Sequence, residues 1–172
     1  MALVLKATPG ASDSNTYCTL AEAETYFETR YHKSAWTAAI DANKNICLVW
    51  ATRLLDEIIK WKGLEAVEES ALRWPRWGVW DPDGNEIDST DIPNWLKIAT
   101  AEFAFHLRGS DRTIETNRDL TGFKSVQVDV IKLEMMPGSA ANSAKPVLPP
   151  SVWSIVKFYG SIYGKSKTLV RA

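Results

Sequence analysis

Trp74, Trp77 and Trp80 recur every third residue, with Arg73 and Arg76 interleaved. Indole faces stack on bases and guanidinium groups contact phosphates, so these are the residue types of a platform for single-stranded nucleic acid. They also have a structural reading, in which the indoles pin a loop onto neighbouring helices and the arginines bond nearby carbonyls or carboxylates. The flanking charge favours structure. Glu65, Glu68 and Glu69 precede the cluster, while Asp81, Asp83, Glu86, Asp88 and Asp91 follow it, and such flanks repel a phosphate backbone. Asp81-Pro82-Asp83-Gly84 has Pro second and Gly fourth, the residues of a type I turn. Trp74, Pro75, Arg76, Gly78, Asp81 and Gly84 are therefore read as a structural clasp within the stretch from Ala71 to Gly84.

Other chemistry is scarce. His32 and His106 stand alone, and Cys18 and Cys47 fall in different segments without metal-ligand spacing, as expected of reduced, buried thiols. The acid pairs Asp56-Glu57 and Glu68-Glu69 are adjacent, so on a helix their side chains diverge from one another, as expected of solvated faces. There is no phosphate-binding loop, dinucleotide fingerprint, nucleophile elbow or metal-ligand cluster. These residues predict a protein that is not an enzyme and carries no cofactor or metal.

The elements that must position the clasp are mostly helical. Thr19-Leu20-Ala21-Glu22 is a capping box, and Leu20, Ala23, Phe27 and Tyr31 follow on one face of a helix running to about His32. Asp41 is placed to cap a longer helix with Ile46, Cys47, Trp50, Leu54, Leu55, Ile58 and Trp61 on its apolar face, and Gly63 stops it. A short helix is expected within Leu64–Leu72. Asp91-Ile92-Pro93 starts another helix, with Leu96, Ala99, Phe103 and Leu107 as its buried stripe and Gly109 at its end. Val126, Val128 and Val130 alternate with polar residues as in a half-buried strand, and the phase change at Val130-Ile131 marks a bend, bulge or second strand. Pro150-Ser151 opens a last helix with Val152, Ile155, Val156 and Tyr159 as its stripe. The expected architecture is a mainly α bundle of four to five helices with a small β-hairpin or strand element and extended arms. Its divisions are an N-terminal arm at 1–16, with a short strand at Leu3–Lys6, a helical domain at 17–135, and a connector, last helix and basic tail at 136–172.

The totals agree with this. The 172 residues suffice for one domain with a real core, and 45% hydrophobic with 24% charged residues is an ordinary globular composition. No apolar run approaches the roughly 18 residues of a membrane span, and the first residues lack a signal peptide's pattern. Charge is uneven: residues 1–134 hold 15 Lys and Arg against 21 Asp and Glu, whereas residues 135–172 hold 5 Lys and Arg and no acid. An acidic body with a basic end predicts a tail that seeks anionic partners.

Asn15-Thr16-Tyr17-Cys18-Thr19-Leu20-Ala21-Glu22-Ala23 with Tyr26-Phe27, then Ala51-Thr52-Arg53-Leu54-Leu55-Asp56, Leu72-Arg73-Trp74-Pro75-Arg76-Trp77-Gly78, Asp81-Pro82-Asp83-Gly84 and Ile92-Pro93, resemble a family of small tailed-phage and prophage proteins. Its members are labelled DnaT-like single-stranded DNA-binding proteins, yet they are similar in size and layout to phage head-tail connectors. The resemblance covers roughly Ser14 to Gly109. It implies a structural adaptor of the virion, assembled in the host cytoplasm, that forms a dodecameric ring under the portal and links capsid to tail. DNA would pass through the lumen without sequence specificity. The implied partners are the portal protein, a tail or nozzle protein and further copies of the chain, with no membrane. In such adaptors the C-terminal segment engages the portal or a neighbouring subunit, which here designates Trp153, Phe158, Tyr163, Lys165, Lys167, Leu169 and Arg171 as the docking set. The alternatives are a single-stranded DNA-binding replication factor, as the family label suggests, and a regulatory helical protein with a protein partner.

Overall fold

The computed structural model describes residues 3–113 and 147–163, and the backbone of 126–128 and 131–133. The architecture is mainly α with small antiparallel β elements. Helix α1 (Leu20–Glu28) opens as its capping box predicts, with the Glu22 N–H donating to Thr19 Oγ1 at 3.2 Å and the Thr19 N–H to Glu22 Oε2 at 2.7 Å. It ends at Glu28, short of His32, and Tyr31 is 91% exposed, off the buried face expected for it.

The connection that follows contains a short helix, α2 (Ser34–Thr37). Its Trp36 is fully buried, stacks on Phe27 at 4.5 Å and donates its indole N–H to Glu24 at 3.2 Å. Helix α3 (Asp41–Ile58) has Ile40, not Asp41, at its cap position. The Asp41 carboxylate instead accepts from Lys44 Nζ at 3.4 Å. Cys47, Leu48, Ala51, Leu54 and Leu55 face the core, but Ile46, expected among them, is 53% exposed.

At the end of α3 the chain departs from its expected course. The helix does not continue to Trp61: β1 (Ile59–Trp61) leaves it directly and pairs antiparallel with β6 (Gly160–Ile162), in the register Lys60↔Ser161. Two successive β-branched residues, Ile58 and Ile59, lose side-chain freedom in a helix and fit a strand well. Thus Gly160–Ile162, expected to belong to an extended basic tail, is ordered in a ribbon. The short helix expected in 64–72 is also absent. That segment holds β2 (Leu64–Glu65), which pairs with β3 (Arg76–Trp77).

Helix α4 (Asn94–Gly109) buries Leu96, Ala99, Phe103 and Leu107 as its spacing predicts. Ala99, Thr100, Ala101 and Ala104 are buried too, and side chains this small let α4 pack against α1, α2, α3 and α5 (Pro150–Val156). In the last of these, Val152 and Val156 are buried. The alternation at Val126 and Val128 corresponds to a strand pair, β4 (Val126–Val128) with β5 (Ile131–Leu133). No helix of the described residues is long and apolar enough to cross a membrane.

One charge cluster ties α1 to α4. Glu102 is buried and accepts from the Tyr26 hydroxyl, Arg30 Nε and Arg30 Nη2, each at 3.0 Å. Burial, then the Glu102 charge, pushes the Tyr26 phenol up to about 12. His106 Nε2 lies 3.3 Å from Glu102 and 3.1 Å from Ser151 Oγ, reaching α5, and burial lowers its pKa.

Residues 3–16 form no strand at Leu3–Lys6 and do not stand off as an arm. Asn15 Nδ2 donates to the Val4 carbonyl at 2.9 Å and Asn15 Oδ1 accepts the Lys6 N–H at 2.8 Å, closing the segment into a loop. The Ala71 N–H seats that loop on the body through the Ala11 carbonyl at 3.2 Å. At the other end of the described core, Arg112 Nε donates to the Val147 carbonyl at 3.2 Å. Cys18 and Cys47 are buried free thiols, as expected, and burial pushes Cys18 up to about 12.

The β1–β6 ribbon lies close against Gly160, where an added Cβ would fall 2.4 Å from Ile59 Cγ2 and 3.0 Å from the Lys60 carbonyl oxygen. Gly160→Ala is therefore expected to destabilise the fold by about 1–3 kcal/mol through overpacking. Urea denaturation measures this, and an unchanged midpoint would show that the ribbon yields freely.

Candidate functional site

The clasp is built outward from the turn after β1. Gly63 has φ 70, and a Cβ there would lie 2.4 Å from the Trp77 carbonyl oxygen, so glycine is needed for both conformation and space. The turn allows β2 to pair with β3, in the register Leu64↔Trp77 and Glu65↔Arg76. The Ala66 N–H extends the pairing to the Pro75 carbonyl at 3.0 Å. The Trp74–Pro75 peptide is cis.

Trp74 behaves as the structural reading expects. It is fully buried in an aromatic cluster, edge-to-face with Trp61 at 5.8 Å and with Trp95 at 5.3 Å. Trp95 in turn stacks on Tyr159 at 3.9 Å. Arg76 is also buried, and its guanidinium donates to the carbonyls of Lys62 at 2.7 Å, Gly63 at 2.7 Å and Arg73 at 3.0 Å. That side chain is committed to holding backbone. Asp56, which the sequence placed on a solvated face, is a hub: it accepts from the Tyr17 hydroxyl at 2.6 Å, Trp61 Nε1 at 3.0 Å and the Arg73 N–H at 3.3 Å. Burial raises its pKa while those three donors oppose the shift.

The turn at Asp81 forms as expected. The Gly84 N–H donates to the Asp81 carbonyl at 3.1 Å, and the Asp81 carboxylate accepts from the N–H groups of Asp83 at 2.9 Å and Asn85 at 2.8 Å. The Asn85 side chain and these backbone donors hold the Asp81 carboxyl below the usual range. A bridge between Trp80 and Glu86 makes the segment a small hairpin.

Trp77 and Trp80 do not pin the loop. They are 54% and 56% exposed, whereas Val79 between them is buried. Gly78, with φ 67, lies between Trp77 and Val79 and breaks the regular alternation of the strand. The spacing of three that seemed to unite the indoles therefore conceals a division: Trp74 belongs to the core and the other two to the surface.

A family model described as "Putative DnaT-like ssDNA binding protein" matches residues 1–172. The chain belongs to this family. Neither the curated proteins nor the solved structures hold a match to it.

In this family member the C-terminal docking set is divided. Trp153 is half-buried and packs against the core. Phe158 and Tyr163 are about half exposed, with Lys157 Nζ 5.0 Å from the centre of the Phe158 ring. Tyr163 is held beside α3 by its N–H to the Ile58 carbonyl at 2.9 Å. Lys165, Lys167, Leu169 and Arg171 lie outside the described residues.

Two apolar surfaces were not singled out from the sequence. Leu64, 63% exposed, stands opposite Trp77 on the ribbon. A groove of about 420 Å³ is lined by Leu3, Ile46, Val49, Trp50, Arg53 and Thr113. Ile46, Val49 and Trp50 have the i, i+3, i+4 spacing of a second apolar stripe on α3, which is the signal that identifies this face.

The division of the tryptophans has an energetic signature. Trp74→Ala is expected to destabilise by about 3–5 kcal/mol, whereas Trp77→Ala should fall within about 0.5 kcal/mol of wild type. Chemical denaturation of both variants checks this, and equal losses would return Trp77 to the core.

Proposed function

We propose that the chain is a structural head-tail adaptor of a tailed bacteriophage, assembling as a ring on the portal, joining capsid to tail and surrounding the DNA channel. The observation that carries this reading is the distribution of large apolar side chains left facing outward. Leu3, Val4 and Ile46, then Leu64, Trp77 and Trp80, and finally Phe158 and Tyr163 are exposed at separate stretches of the chain. Grouped exposed apolar residues mark interaction surfaces, and several on one small bundle suit a subunit with several protein neighbours. The resemblance of residues 14–109 to a family of small phage and prophage proteins, similar in size and layout to head-tail connectors, supports the same reading. Electron microscopy of the protein mixed with the portal of its own phage is the test. Ring density seated on the portal is expected, and free particles alone over a range of concentrations would remove the proposal.

The family's description favours a second reading, single-stranded DNA binding, for which Trp77 and Trp80 are available as stacking surfaces and Trp74 and Arg76 are not. On this reading, binding of an oligonucleotide weakens steeply with salt, and the Trp77→Ala, Trp80→Ala double variant loses roughly 1–3 kcal/mol per stacked base. Fluorescence anisotropy with no binding even at low salt would eliminate it.

A further inference from the structure

The lysines of the described body divide by their surroundings. Lys6, Lys44 and Lys97 form ion pairs with Asp13, Glu24 and Glu22. Lys60, Lys62 and Lys157 are exposed and pair with no carboxylate among the described residues. These three gather on one ribbon. Lys60 stands opposite Ser161 in the β1–β6 pairing, and the Lys62 N–H extends the ladder to the Tyr159 carbonyl at 2.9 Å. Side chains alternate between the faces of a strand, so Lys60 and Lys62 share the face turned away from buried Ile59 and Trp61. Across the ribbon, Ser161 and Tyr163 lie on that same outer face and are exposed. Lys157 comes just before β6, with its ammonium 5.0 Å from the centre of the Phe158 ring. Neither 58–63 nor 157–163 contains an acid, although residues 1–134 hold 15 Lys and Arg against 21 Asp and Glu.

The face has an aromatic ring at each end. Tyr163 bonds to Ile58, and beyond Lys62 the chain passes Gly63, which packs on the Trp77 carbonyl beside the exposed indole. The path between them is about 17 Å long at strand spacing. The nearby acids are already answered or turned elsewhere. Glu65 faces Arg73 at 3.8 Å and Arg76 at 3.6 Å. Asp81 and Asp83 act, after burial, to raise the Tyr159 phenol, and the Asp81 carboxylate accepts from the Asn85 side chain at 3.0 Å.

We propose that the outer face of the β1–β6 ribbon binds single-stranded DNA, with Lys60, Lys62 and Lys157 on phosphates and with Tyr163 and Trp77 under bases. The inference rests on the second reading, single-stranded DNA binding, and extends it from two indoles to a path with its own cations. Lysine suits the role as a compact charge on a flexible stem, and bases of any sequence stack on aromatic rings. An acidic polypeptide would meet the same lysines but brings no flat bases to the rings, so the exposed rings favour DNA.

The test is fluorescence anisotropy of a labelled oligothymidylate with the full chain over a range of salt, with circular dichroism to confirm that every variant folds. The Lys60→Gln, Lys62→Gln, Lys157→Gln variant should bind more weakly and flatten the slope of log K against log salt by about 2, because each phosphate contact on a single strand contributes about 0.7. Arginine at the same three positions should keep the wild-type slope. Tyr163→Ala should lose about 5–150-fold in affinity with the slope unchanged. An unchanged slope in the glutamine variant would overturn the surface. Polyglutamate bound as tightly through the same lysines would give the face to an acidic protein instead, and duplex DNA bound as tightly as the single strand would remove the role of the rings. Binding that falls with Trp77→Ala, Trp80→Ala yet ignores the lysines would leave the second reading standing without this face. No binding at low salt would remove both.

Discussion

The aromatic cluster of Trp61, Trp74, Trp95 and Tyr159 is the constraint on which the rest of the structure depends. Its members come from β1, the clasp, the first turn of α4 and the residues just after α5. Each aromatic pair adds about 0.5–1.5 kcal/mol beyond the area it buries, and here those pairs join segments that no local interaction would bring together. The indole N–H groups of Trp74 and Trp95 are buried with no hydrogen-bond acceptor among the described residues, so the cluster is held by ring packing and not by these donors.

Around this apolar centre, two carboxylates, Glu102 buried and Asp56 partly buried, organise polar contacts that link elements. Asp56 gathers donors from Tyr17, Trp61 and the Arg73 backbone, and so joins the N-terminal loop, β1 and the clasp. Glu102 gathers Tyr26 and Arg30, fixing the rotation of α1 on α4. A buried ion pair of this kind is weak evidence for stability, because desolvation offsets much of the attraction. In this fold the Glu102 cluster is better understood as setting the register of α1 on α4, since a rotated helix would leave a buried carboxylate without its partners.

What was legible in the sequence was what nearest neighbours along the chain decide. The Thr19–Glu22 box, the α4 stripe from Leu96 to Leu107, the Asp81–Gly84 turn and the strand at Val126 each depend on residues within a few positions. The apolar run through Ile58 and Trp61 misled because its helical spacing was real, while the strand that captures Ile59–Trp61 is Gly160–Ile162, about a hundred residues away. The same limit governed the clasp. Residue types distinguished Trp74 and Arg76 as structural, but the outward direction of Trp77 and Trp80 depends on the backbone at Gly78 and on pairing with Leu64. Ile46 was assigned to the core because α3 carries two apolar stripes, and only the tertiary arrangement decides which of them meets α4.

The hydrogen bond from Arg112 to Val147 brings together the two places where the described core gives way to residues 114–146 and resumes. The contact joins the residues that follow α4 to those that lead into α5, so the ends of these two helices are held beside each other by backbone capture as well as by the packing between them.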